Sequence, residues 1–69
     1  MSLYKLKGKM LSFSEAIAEF EKGNLEESDE IFFLNQIINE GSIERSPRSI
    51  KNAINYYMRF GLLKNENMN

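Results

Sequence analysis

Cysteine and histidine are both absent from this chain of 69 residues, and their absence excludes much of the chemistry open to a small protein. There can be no disulfide, and no zinc cluster of the usual Cys/His kind, so both common staples of a domain this small are missing. Without histidine a serine triad cannot be assembled. The glycines do not space into a phosphate loop. No apolar run approaches the roughly 18 residues of a membrane span, and the opening "MSLYKLKGKML" lacks the continuous apolar segment of a signal peptide. The expectation is a cytoplasmic protein with no membrane association, no metal, no cofactor and no enzymatic activity.

What is present suffices for one domain over residues 1–69, with 42% apolar residues to fill a single modest core. With other staples excluded, oligomerisation is the remaining route to firm stability, and a homodimer is expected. The net charge of −1 conceals a segregation along the chain. Lys5, Lys7 and Lys9 come first without an acid among them. Glu15, Glu19, Glu21, Glu26, Glu27, Asp29, Glu30 and Glu40 follow against Lys22 alone. From 41 to 64 Arg45, Arg48, Lys51, Arg59 and Lys64 then face only Glu44. Overall charge therefore says little about partners, and the position of the basic segments in the fold says more.

The pattern predicts a mainly α protein, a small domain of three to four helices with a short N-terminal β-strand. "LYKLKGKM" alternates, placing Tyr4, Leu6 and Met10 on one side of a strand within residues 1–11 and Lys5, Lys7 and Lys9 on the other. Such a strand needs a partner, either Leu62 to Lys64 or the same strand of a second chain. Ser12 and Glu15 have the Ser-x-x-Glu form of a capping box, opening a helix that buries Phe13, Ile17 and Phe20 and stops at Gly23. Asn24 and Glu27 repeat the device before a helix carrying Ile31, Leu34 and Ile38, widened by Phe33 and Ile37 and ended by Gly41. The adjacent rings of Phe32 and Phe33 cannot both enter one narrow stripe, so Phe32 marks a second interface. Ser46 caps the last helix, residues 47–60, with Pro47 at its first position. Ile50, Ala53, Ile54 and Tyr57 form its buried stripe. Arg48, Lys51, Asn52, Asn55, Tyr56 and Arg59 are left on the outer arc. The helical core runs over 12–64, and 65–69 is a tail.

"SIKNAINYYMRFGLL", Ser49 to Leu63, resembles the recognition helix and exit of winged-helix and related helix-turn-helix transcription regulators. Ser49 and Ile50 open the motif, Ala53 and Ile54 supply its apolar pair, Tyr57 the next core position, and Gly61, Leu62 and Leu63 the exit toward a strand. The resemblance covers 15 of the 69 residues. Gly41 to Ser49 leaves room for little more than one turn at "SIERS", so the preceding helix of the motif is shortened. "KNENMN" after Leu63 is too short for a wing.

The resemblance implies a helix-turn-helix-like fold and a small DNA-binding transcription regulator whose last helix enters the major groove. The residue types on the arc suit DNA, because Arg forks onto guanine, Asn pairs with adenine, and Lys and Tyr reach phosphates. Arg48, Lys51, Asn52 and Asn55 are the expected base readers. Tyr56, Arg59, Arg45 and the Lys5, Lys7, Lys9 face are assigned to phosphates, with Ser46 and Ser49 favouring a phosphate at the helix N-terminus. The expected partner is double-stranded DNA. The alternative is a small protein–protein interaction module or inhibitor, binding a protein partner through its acidic helices and Phe32. The pairs Glu15/Glu19 and Glu26/Glu30 have helical i, i+4 spacing but no catalytic companion.

Overall fold

The structure is a computed structural model and describes residues 3–63. Its elements are β1 (Leu3–Leu6), β2 (Lys9–Ser12), α1 (Phe13–Glu21), α2 (Glu27–Asn39) and α3 (Arg48–Arg59), a mainly helical chain with a two-stranded antiparallel sheet. It divides into two compact units, Met1–Phe33 and Leu34–Asn69.

The first unit corrects the expected single strand. Lys7 and Gly8 both take positive φ, 55° and 73°, which is the backbone of a two-residue type I′ turn. The segment therefore folds back on itself as a hairpin, with Leu3 opposite Ser12, Tyr4 opposite Leu11, Lys5 opposite Met10 and Leu6 opposite Lys9. The strand finds its partner in Lys9–Ser12, just beyond the turn, and needs no second chain. Leu62 and Leu63 lie in no strand, while Lys64 and the tail 65–69 lie outside the described residues.

A continuous strand would have kept Lys5 and Lys9 on one face. In the hairpin each odd-numbered residue of β1 stands opposite an even-numbered residue of β2, and directly opposed residues share a face. Lys9 thus sides with Tyr4, Leu6 and Leu11, whereas Lys5 sides with Leu3 and Met10. Met10 is exposed rather than buried.

Tyr4 and Leu6 are buried at 2% and 1% exposure, alongside Ala16, Leu25 and Phe33. Three rings interlock there. Tyr4 meets Phe33 edge-on at 5.1 Å between centroids, and Phe13 lies 6.1 Å from Tyr4 and 6.2 Å from Phe33. In α1 the fully buried residue is Ala16. The expected Phe13, Ile17 and Phe20 are each half-buried, because a small side chain lets the helix backbone approach closely while larger neighbours pack around the contact.

The Ser12 capping box is complete. The Ser12 amide donates to Glu15 Oε1 at 2.9 Å, and the Glu15 amide donates to Ser12 Oγ at 3.2 Å. The Ser12 amide first, and its hydroxyl second, favour the carboxylate and hold the Glu15 carboxyl below the ordinary glutamate range. A depressed folded-state pKa means that the linked stabilisation is present above the unfolded value and is lost as pH falls through the folded one. Ser12→Ala is expected to cost about 1 kcal/mol in melts near neutral pH. It is also expected to move the Glu15 titration, followed by NMR, only part of the way back toward the ordinary range, because the backbone amide at position 12 still donates to the carboxylate.

The corresponding box at Asn24 and Glu27 does not form. The Asn24 amide donates to the Glu19 carbonyl and the Gly23 amide to that of Phe20, the paired bonds of a Schellman motif. The Asn24 side chain closes back on Glu19 at 3.3 Å. α2 consequently starts later, the Glu26 carbonyl accepting from the Glu30 amide. Ile38 and Ile37 accept the equivalent bonds from Gly41 and Ser42, and Met58 and Tyr57 from Gly61 and Leu62. All three expected glycine stops thus end helices, at φ of 74°, 71° and 72°.

In the second unit Leu34, Ile37 and Ile38 of α2 and Ile50, Ile54 and Tyr57 of α3 are buried, with Leu63. Ala53 is half-buried. Between the helices the Ser46 amide bonds to the Ile43 carbonyl, so "SIERS" makes one turn and no helix. Ser46 is not the cap of α3. It is buried at 5% exposure, and its hydroxyl donates to the Ser42 carbonyl at 2.9 Å, meeting a backbone acceptor that water cannot reach. Pro47 takes the cap position without a side-chain bond, its carbonyl accepting from the Ile50 and Lys51 amides.

Candidate functional site

The three helices begin differently, and α3 is the exception. α1 has its closed capping box, and α2 carries Glu27, Asp29 and Glu30 in its first turn, where the helix dipole favours negative charge. α3 has no acid in its first turn and none along "RSIKNAINYYMR". Arg48 and Lys51 stand there instead, at the end where a cation is disfavoured. Its cap residue, Pro47, offers no side-chain acceptor. A negative group supplied from outside the chain would answer the two cations.

Burial of Ile50, Ile54 and Tyr57 turns a defined arc outward. At 3.6 residues per turn, Arg48, Asn52, Asn55 and Arg59 fall at i, i+4, i+7 and i+11 and form one row about 16 Å long. All four are exposed. Lys51 flanks the row on one side, Ser49 and Tyr56 on the other. Among the described residues no hydrogen bond or ion pair holds the side chain of Arg48, Lys51, Asn52, Asn55 or Arg59. The row therefore presents guanidinium and amide groups whose hydrogen-bonding capacity is turned to solvent.

The other expected site residues are placed differently. Arg45 Nη2 donates to Ser42 Oγ at 2.8 Å, which anchors this guanidinium in the loop before α3. The buried Ser46 hydroxyl is already committed to Ser42 and is not presented to a ligand. Lys5, Lys7 and Lys9 do not make one basic face: Lys5 and Lys9 lie on opposite sides of the hairpin, and Lys7, in the turn, lies 3.6 Å from Glu19 Oε1. That pair is partly exposed and adds little stability, but it neutralises Lys7 locally. The acidic pair Glu15/Glu19 is likewise accounted for, Glu15 by the capping box and Glu19 by Lys7 and Asn24.

One feature of α3 escapes the sequence pattern, which assigns Tyr56 to a phosphate and gives Phe60 no role. Tyr56 and Phe60 are 58% and 61% exposed, and their ring centroids are 4.9 Å apart at 59°. Tyr57 packs edge-on against Tyr56 at 5.6 Å. The exposed Leu62 follows. The signal in the sequence is the i, i+4 spacing of two aromatic residues on the polar side of an amphipathic helix. Phe32 is exposed on α2, while its neighbour Phe33 is fully buried.

Among the described residues no helix is long and apolar enough to cross a membrane. Comparison of the chain with family models, with curated proteins and with solved structures finds no match.

Proposed function

We propose that this chain is a small DNA-binding regulator and that α3 is its recognition helix, as the resemblance of "SIKNAINYYMRFGLL" to helix-turn-helix regulators implies. The observation that carries the reading is the exposed row Arg48, Asn52, Asn55 and Arg59, flanked by Lys51, on a helix without an acid. Such a row matches the major groove, where Arg and Asn make two-pronged contacts with guanine and adenine. Arg48, Lys51, Asn52 and Asn55 serve as base readers, and Arg59 with Arg45 meets the backbone. Lys5, Lys7 and Lys9 drop out of the proposed interface because the hairpin disperses them, and Ser46 because it is buried. The shortened motif, with a single turn between α2 and α3, leaves α3 to carry the recognition.

Four cations set the expected salt dependence on random duplex. With Arg45, Arg48, Lys51 and Arg59 each displacing one counterion, log K falls with log salt at a slope of about −3.6, or roughly 150-fold between about 50 and 200 mM salt. A mobility-shift titration of random duplex over that range measures it. If no duplex is retarded at concentrations where non-specific binding normally occurs, the regulator reading fails. The acidic helices with exposed Phe32 then become the functional surface, as in a protein-interaction module.

A further inference from the structure

We infer that Tyr56 and Phe60 form a stacking platform for unpaired bases, so that the preferred ligand is a nucleic acid with a single-stranded segment beside a duplex. This rests on the proposed role of α3 and adds to it a ligand class that major-groove reading alone does not require. Two large aromatic side chains, 58% and 61% exposed, stand one turn apart on one flank of the helix. Their rings touch at 4.9 Å and are tilted by 59°, and Tyr57 supports Tyr56 from beneath, edge-on at 5.6 Å. Each ring thus leans on another aromatic group while remaining more than half open to solvent. A supported ring with an open surface can stack a base without first being ordered.

Charge identifies the occupant. A second copy docking this same surface on itself would bring Arg59 and the other cations of α3 toward their own kind, with no acid on the helix to offset them. A neutral apolar partner would leave the adjoining row of arginine and asparagine unused. A polyanion with planar faces answers both parts of the surface: its phosphates meet Arg59, its paired bases the row of Arg48, Asn52 and Asn55, and its unpaired bases Tyr56 and Phe60. In an intact duplex the base faces are stacked inside, so the aromatic flank is engaged only where a strand is open.

The test uses the full chain and fluorescence anisotropy with three labelled probes: a blunt duplex, the same duplex with a single-stranded thymidine overhang, and oligothymidine alone. The overhang duplex is expected to bind about tenfold tighter than the blunt one. Phe60→Leu keeps the apolar bulk but removes the ring, and is expected to abolish that preference while leaving blunt-duplex affinity as it was. Tyr56→Phe keeps the ring and removes the hydroxyl, and is expected to retain the preference, which a phosphate contact through the hydroxyl would not allow. Thermal melts confirm that both variants at these exposed positions fold. Equal binding of blunt and overhang probes overturns the platform while leaving duplex recognition by α3 standing, whereas binding of no probe overturns both. Polyglutamate competing as well as oligothymidine would show that charge alone is recognised, and would also overturn the platform.

Discussion

Phe33→Ala is expected to unfold the chain or bring it to the edge of unfolding. Phe33 is fully buried and joins Tyr4 and Phe13 in the aromatic cluster, its ring edge-on to Tyr4 at 5.1 Å. Truncating a buried phenylalanine costs about 3–5 kcal/mol, from lost transfer free energy and the cavity left behind. A chain of this length has only about 3–10 kcal/mol of stability in total, so the substitution consumes much or all of it. Phe32→Ala is the comparison. Its ring is 44% exposed, and the change is expected to cost less than about 1 kcal/mol. Urea denaturation followed by circular dichroism distinguishes the two neighbours. Similar losses at both positions would mean that Phe33 does not hold the cluster together, contrary to its burial.

Asn52→Ala and Asn55→Ala are each expected to weaken specific DNA binding by about 1–3 kcal/mol while leaving non-specific binding almost unchanged. Neither side chain is charged, so the electrostatic attraction survives and only hydrogen bonds to base edges are removed. Both residues are exposed in mid-helix, where alanine favours the helix more than asparagine does. A loss of binding therefore cannot be ascribed to a loss of fold. Arg59→Ala is expected to act on all sequences alike and to flatten the salt slope by about one unit. An operator selected from random duplexes supplies the specific probe. If both asparagine variants hold that operator as tightly as the parent, α3 does not read sequence through the middle of its row, and its resemblance to a recognition helix reduces to a shared way of packing and ending a helix.

The features legible in the sequence are those whose causes lie within a turn of helix. The Ser12–Glu15 box is made by groups three residues apart. Gly23, Gly41 and Gly61 end their helices because each takes a backbone conformation that other residues adopt at a cost. The stripe Ile50, Ile54, Tyr57 and the polar row opposite it follow from helical period alone. This is why the outer arc of α3 is legible in the residue order.

The rest depended on groups that the local pattern does not bring together. "KLKGKM" carries its turn at Lys7–Gly8 without the Asn-Gly or Asp-Gly pair that usually announces one, and its unbroken alternation conceals the reversal. Once the chain turns, the pairing register decides which lysine shares a face with which, and the basic strand face is lost. Ser46 has the chemistry of a cap in sequence, yet in the folded loop the buried Ser42 carbonyl claims its hydroxyl. Asn24 likewise closes on Glu19 rather than opening α2. The sequence by itself determined the helices, the capped start of α1, the three glycine stops and the solvent-facing row of α3, because backbone hydrogen bonds between near neighbours and helical period suffice for these. Tertiary structure decided the hairpin, the fate of Ser46, Asn24 and the three N-terminal lysines and the exposure of Phe60, because a side chain's partner is set by whatever burial leaves unsatisfied around it.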